Sequence, residues 1–381
     1  MSRFRTSLLM VVAVLGLSAC SSWKFWEKSD DVEKPAELKP ISATAKIDES
    51  WKVSVGKSRT AYLQPTVVDD AVFAASADGD VYRIEKGRTV WRTRTDLDLA
   101  AGVGASRDLV VVGGVHGVVV ALEAATGKQV WKIDLLGEIS AQPFVDANAV
   151  LIRISDSRIV SLDTANGNTK WTYDRATPPL SLRTYDELIR FDNYVFGGFA
   201  GGKIAAVTAS NGQLAWEGSV TLPRGSTELE RLSDVVGVPV PIGKQLCAAS
   251  YQGKVTCFDV TRGVAVWGRE ISTAVGIDAD DQRVYVSDDH GAVYALDLST
   301  GATLWKQDAL KLRQLSRPLV IDAGVAVADF EGWIHLLDKK DGRFIARAKT
   351  DGSPVRAPLM RTDDGLVAQT TDGGVFAFRA R

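Results

Sequence analysis

From residue 48 onward, apolar and polar positions alternate in short runs, each closed by a turn signal such as Asp-Gly, His-Gly or Thr-Gly. A period of two predicts strands, not helices. Residues 65–68, 72–76, 81–85 and 89–93 are four such runs, parted by Asp69-Asp70, Asp78-Gly79 and Lys86-Gly87. Glycine suits hairpin turns that take φ > 0, a region that costs a residue with a Cβ.

The pattern repeats along the chain. Residues 117–131, 202–216, 253–267 and 291–305 share one frame: a glycine, an apolar site, a second glycine and a tryptophan at constant spacing. Residues 157–171 carry Ser157 in place of the first glycine, 79–91 are shortened in the turn, and 332–346 end on Ala346 instead of tryptophan. The eighth copy starts at Gly373 and stops at Arg381, short of its last strand, which Ser50-Trp51-Lys52-Val53-Ser54-Val55 supplies from the other end. Eight units of about 42 residues predict an all-β fold: an eight-bladed β-propeller of four-stranded antiparallel blades with quinoprotein-type Trp repeats over 48–381. Pairing of the N- and C-terminal strands would close the ring and remove two exposed edges.

A residue that recurs in each blade serves the blade. Trp51, Trp91, Trp131, Trp171, Trp216, Trp267 and Trp305 are therefore read as structural, filling the gaps between wedge-shaped sheets. Glu85, Glu123, Asp163, Asp259, Asp297 and Asp338 share one position before a turn, where an acid binds turn amides. His116 and His290 fall in turns and His335 stands alone in a strand, so the histidines have no metal-ligand or nucleophile-base spacing. Neither a catalytic residue, a metal site nor a cofactor is expected.

Function is expected where the copies differ. The connections from Trp171 to Gly202 and from Trp216 to Gly253 are the longest in the repeat, belong to consecutive blades and should emerge side by side on one face. The first holds Pro178-Pro179-Leu180-Ser181-Leu182-Arg183; the second holds 225–235, whose middle predicts a short helix. Leu180 and Leu182 flanked by Arg183, near an acid-bearing loop, have the make-up of an interface anchor.

The N-terminus differs from the rest. Arg3 and Arg5 precede an apolar run, 8–17, too short to span a bilayer, and Leu17-Ser18-Ala19-Cys20 resembles a lipoprotein cleavage motif. Residues 1–19 are thus read as a signal peptide and Cys20 as the acylated first residue of an exported, lipid-anchored protein. Ser21 after Cys20 fits sorting to the outer membrane, with the propeller in the periplasm. Residues 20–47, rich in Lys, Glu, Asp and Pro, read as a flexible tether in which Trp23, Phe25 and Trp26 favour the lipid headgroups.

With 45 basic and 47 acidic residues the net charge is −2, and without a basic block nucleic acid is not an expected partner. Once Cys20 is acylated, Cys247 and Cys257 are the remaining thiols. They flank a turn at Tyr251-Gln252-Gly253, so a hairpin would set them opposite each other, either as a disulfide or as two small buried residues.

Together, the lipoprotein motif, the Trp repeats, the Leu180-Ser181-Leu182-Arg183 segment and the 226–235 segment resemble the BamB family, propeller lipoproteins of the outer-membrane β-barrel assembly (BAM) machinery. The resemblance implies binding to the periplasmic POTRA domains of BamA and contact with other BAM components. It also implies help in delivering unfolded outer-membrane proteins for insertion. The family's binding residues match Leu180, Leu182, Arg183 and Asp234. Val236 stands where the family has a second Asp, leaving the neighbouring Glu230 or Glu228 to supply that charge. Two other readings share the fold: a pyrroloquinoline-quinone enzyme, against which the ten-residue spacing of Cys247 and Cys257 argues, and a scaffold of another envelope complex.

Overall fold

The computed structural model describes residues 33–176, 178, 180–182 and 186–381; the expected signal peptide (1–19), Cys20, the Trp23-to-Trp26 aromatics and Arg183 lie outside the described residues. Its strands form eight four-stranded antiparallel sheets. Blades I to VII span 66–94, 104–134, 144–173, 189–219, 235–270, 277–307 and 319–349. Blade VIII joins 360–380 to the N-terminal strand Ile47–Ser54. In each blade the innermost strand comes first in sequence and the outermost last, apart from blade VIII, whose outermost strand is Ile47–Ser54.

Position in the blade decides the pattern along each strand. Second strands are covered on both sides by neighbouring blades, so Ala71–Ala75, Leu109–Gly113, Val150–Arg153 and Gly324–Ala328 are buried at each residue. Outermost strands such as Arg88–Arg94 and Val264–Glu270 are covered little and stay exposed or half-buried. The hydrophobic core is accordingly a ring of seams between neighbours. Phe73 and Val81 of blade I pack with Val110, Val112 and Leu122 of blade II, and Phe196 and Ile204 of blade IV with Leu246 and Phe258 of blade V.

The tryptophans lock these seams by a contact that composition could not specify. Each indole lies against the last-turn glycine of the following blade. At Gly212, which has φ +70°, a Cβ would sit 2.5 Å from Cε3 of Trp171, so both the backbone conformation and the indole demand glycine. Gly87, Gly127, Gly167, Gly263, Gly301 and Gly342 meet Trp51, Trp91, Trp131, Trp216, Trp267 and Trp305 in the same way. The indole Nε1–H also donates to a carbonyl in that turn: Trp131 to Thr164 at 2.9 Å, Trp171 to Ala209 at 2.9 Å and Trp267 to Leu298 at 2.8 Å. This satisfies the one polar group that a buried indole brings with it.

The exception at Ala346 now has a cause. The blade after it is VIII, whose third and fourth strands, Gly374–Ala380 and Ile47–Ser54, are far apart in sequence, so no hairpin turn joins them there for an indole to cover. Ala45 and Ile47 pack against the cluster that contains Ala346 instead. Closure itself runs from Ile47 opposite Ala380 to Ser54 opposite Gly374.

Composition predicts a flexible tether through residue 47, yet the chain is docked from Ala36. Ala36 N–H donates to Lys311 O at 2.9 Å, Leu38 packs near Trp305 and Phe344, and Thr44 and Ala45 both donate to Ile345 O. A polar sequence can be held by backbone hydrogen bonds, which hydropathy does not register.

Candidate functional site

In a meander of this topology, the connections between blades and the turns between second and third strands emerge on the same face, here termed the upper face. The two longest connections, 174–188 and 220–234, lie there in consecutive blades, against 135–143 and 271–276 elsewhere. Leu180 is 39 % exposed and Leu182 half-buried. Both line, with Arg153, Asp186 and Asp234, a concavity of about 700 Å³ on that face.

Asp234 brings the connections together. One carboxylate oxygen accepts the Leu182 N–H at 2.6 Å and the other accepts the Gly201 N–H at 2.9 Å. The 220–234 connection thereby ties the 174–188 connection to a turn of blade IV. With 2 % exposure, Asp234 stands behind the face as a brace, with Leu180 in front. Bonds from these otherwise unpaired amides to a carboxylate are charge-assisted and stronger than neutral ones.

Arg153 was not legible as a site residue. It ends the apolar run Val150–Arg153, is 5 % exposed, donates from Nη2 to Gly198 O at 2.8 Å and lies 4.2 Å over the Phe199 ring. Burial pushes its guanidinium below the usual arginine range, opposed by the countercharge of Asp186. A lone arginine inside a fully buried strand was the available signal, since such a charge needs a partner.

The predicted short helix in 225–235 is not formed. Arg231 N–H reaches Thr227 O at 3.2 Å in a single turn, and Glu230 folds back to accept the amides of Ser226 at 2.7 Å and Thr227 at 3.1 Å. The capping chemistry is present, but one turn between Gly225 and the Asp234 brace is too short to repay helix nucleation. Those amides hold the Glu230 carboxyl below the usual range and commit it to its own turn, where it is not free to supply the charge expected of it near Val236. Val236 itself is buried in the innermost strand of blade V. Leu222 and Leu229 of this connection and Leu136 of the blade II–III connection are exposed on the same face.

Other sequence candidates serve the scaffold. Asp163, Asp259, Asp297 and Asp338 accept turn amides. Glu85 and Glu123, one methylene longer, bind Arg83 and the Thr126 hydroxyl instead. His116 and His290 lie exposed in turns. Cys247 and Cys257 pair across adjacent strands, are fully buried in the seam between blades V and VI and are joined as a disulfide.

Comparison with known proteins agrees with the propeller fold. Residues 77–307 match the family model described as outer membrane protein assembly factor BamB. The Burkholderia pseudomallei protein of that name is 37% identical, covering 100% of this chain and 99% of its relative; the Yersinia pestis one is 32% identical over 98% of each. The crystal structure of BamB from Moraxella catarrhalis superposes with a TM-score of 0.83 at 29% identity, covering 88% of this chain and 100% of the other. A quinohemoprotein alcohol dehydrogenase from Pseudomonas putida shares the fold alone, with a TM-score of 0.70 at 14% identity over 90% of this chain and 78% of that enzyme. A propeller ring with these insertions, matched at this level over its full length, belongs to the family of the outer membrane protein assembly factor BamB.

Proposed function

We propose that this chain is a non-catalytic, lipid-anchored scaffold of the outer-membrane β-barrel assembly machinery. It docks on the periplasmic POTRA domains of BamA through Leu180, Leu182 and Arg183, with Asp234 setting the loop that presents them. The observation that carries this reading is the brace itself. A buried carboxylate ties the leucine-bearing connection to a turn of blade IV, one oxygen on each, which is preorganisation for binding. Leu180 supplies apolar area and Arg183 a charge that fixes orientation. Family membership supports the assignment to the assembly machinery, and the lipoprotein motif at Cys20 supports an anchor that leaves the propeller in the periplasm.

The quinone-enzyme alternative has only the shared fold behind it. Purifying the lipidated protein from gently solubilised membranes and identifying what comes with it tests the proposal. BamA should be recovered with the wild type and lost with Leu180→Asp; recovery of a different envelope complex, or a stoichiometric quinone spectrum after calcium reconstitution, would overturn it.

A further inference from the structure

The docked segment 36–46 descends the outer side of blade VII from the upper face, where Ala36 bonds to Lys311, to the lower rim, where Lys46 pairs with Arg381. Beneath it lies a chain of charged groups whose two ends both grip this strap. Arg313 Nη1 donates to Ala36 O at 2.9 Å, and its Nε donates to Asp329 Oδ2 at 2.7 Å. The same Asp329 oxygen faces His335 Nε2 at 2.9 Å. The far ring nitrogen, Nδ1, accepts from Arg347 Nε at 3.0 Å, and Arg347 Nη1 donates to Lys39 O at 3.1 Å.

The chemistry of this relay fixes the protonation state at its centre. Arginine Nε only donates, so Nδ1 of His335 must carry its lone pair, and Nε2 must carry the proton given to Asp329. A second proton would set an N–H and a positive charge directly against those of Arg347. The groups facing the imidazole are Asp329 and, beyond it, Glu331 from the turn before its strand, Arg313 from the blade VI–VII connection and Arg347 from the outermost strand; the Phe344 ring lies beside it. Burial, opposed by Asp329, holds His335 below the usual histidine range, so the ring is neutral near pH 7.

We propose that the Arg313–Asp329–His335–Arg347 relay is a proton-sensitive clamp: it fixes residues 36–39 on the propeller while His335 is neutral and lets go of the Lys39 end when His335 is doubly protonated. The acid-strengthened pairing with Asp329 keeps the Arg313 end, so the strap loosens from the Arg347 side. The consequence is positional. With the clamp closed, Ala36 is held at the upper face, the one that carries Leu180 and the long connections.

The test is amide exchange of residues 36–46 in the full-length lipidated protein, corrected for intrinsic exchange, at about pH 7.5 and about pH 4.5. Protection of Thr44 and Ala45, the hydrogen-bonded amides that follow the gripped stretch, should fall at least about 10-fold at the lower pH in the wild type. It should be pH-independent and high in His335→Gln, whose amide can both donate to Asp329 and accept from Arg347 but cannot take up the proton. It should be low at both pH values in Arg347→Met. Equal wild-type protection at both pH values, or a His335→Gln profile that follows the wild type, overturns the clamp. Ring-nitrogen NMR of the wild type gives a second reading independent of any variant: an Nε2–H neutral tautomer at about pH 7.5 is expected, and an Nδ1–H tautomer or a charged ring there contradicts the proposal.

Discussion

The seven seams covered by tryptophan and the two long connections of the upper face are built on opposite principles. In the seams one solution is repeated: an indole on a glycine turn with its N–H capped by a turn carbonyl or, for Trp51 on the shortened turn of blade I, the same packing on Gly87. In the connections nothing repeats, and a single buried acid holds an exposed apolar loop. The contrast separates residues that make the ring from residues that use it. The one seam without an indole supports the same distinction, since Ala346 stands where the next blade has no turn to cover.

The largest expected effect is on the ring. Deleting residues 47–54 removes a strand paired along its whole length and exposes the edge of Gly374–Ala380. The truncated protein should lose its cooperative melting transition or aggregate, because an unpaired central edge invites association. A melting temperature within a few degrees of wild type would sink the closure account.

Within the frame, Trp171→Ala should cost about 3–5 kcal/mol in denaturant unfolding. The reverse change, Ala346→Trp, should also destabilise, by about 1–3 kcal/mol, because that seam is already filled. A stabilising Ala346→Trp would show that the missing indole is an accident of sequence and not a consequence of the absent turn.

On the loops, Asp234→Ala should cost about 1–3 kcal/mol of stability by leaving two amides unpaired. Its effect on partner binding should reach at least about tenfold, since the leucine loop loses its preset conformation. Leu180→Ala should spare stability to within about 0.5 kcal/mol while weakening the partner. The smallest effect belongs to Leu304→Ser, exposed on the outermost strand of blade VI. It should change neither property by more than about 0.5 kcal/mol; a loss of partner binding there would move the docking face off the upper loops.

Most of the ring was legible because its determinants are local and repeated. Alternation, turn glycines and Trp spacing gave the blades, and the unfinished copy at Arg381 gave the closure with Trp51. What escaped depends on contacts distant in sequence. The hold of Arg153 on Gly198 of the next blade, the grip of Arg313 on Ala36 and of Arg347 on Lys39, and the bond from Gly201 to Asp234 all join residues from separate blades or connections. Residues 36–46 read as tether because their hold is backbone hydrogen bonding, and 225–235 read as a helix because its capping residues are real although the turn they cap goes no further. On the upper face Leu180 is exposed, as its loop position suggested, and Leu182 is half-buried, whereas the hydrogen bonds of buried Asp234 make it a brace behind that face.

The central claim is that the upper-face connections, and not the ring, carry partner recognition. Isothermal titration of soluble BamA POTRA domains into the wild type and into Leu180→Asp, each with its melting curve recorded, tests it most directly. The account predicts an unchanged melting curve and binding weakened by about 10- to 100-fold, which is about 1.4–2.7 kcal/mol for an apolar anchor replaced by a charge. Equal affinity in the two proteins would contradict it.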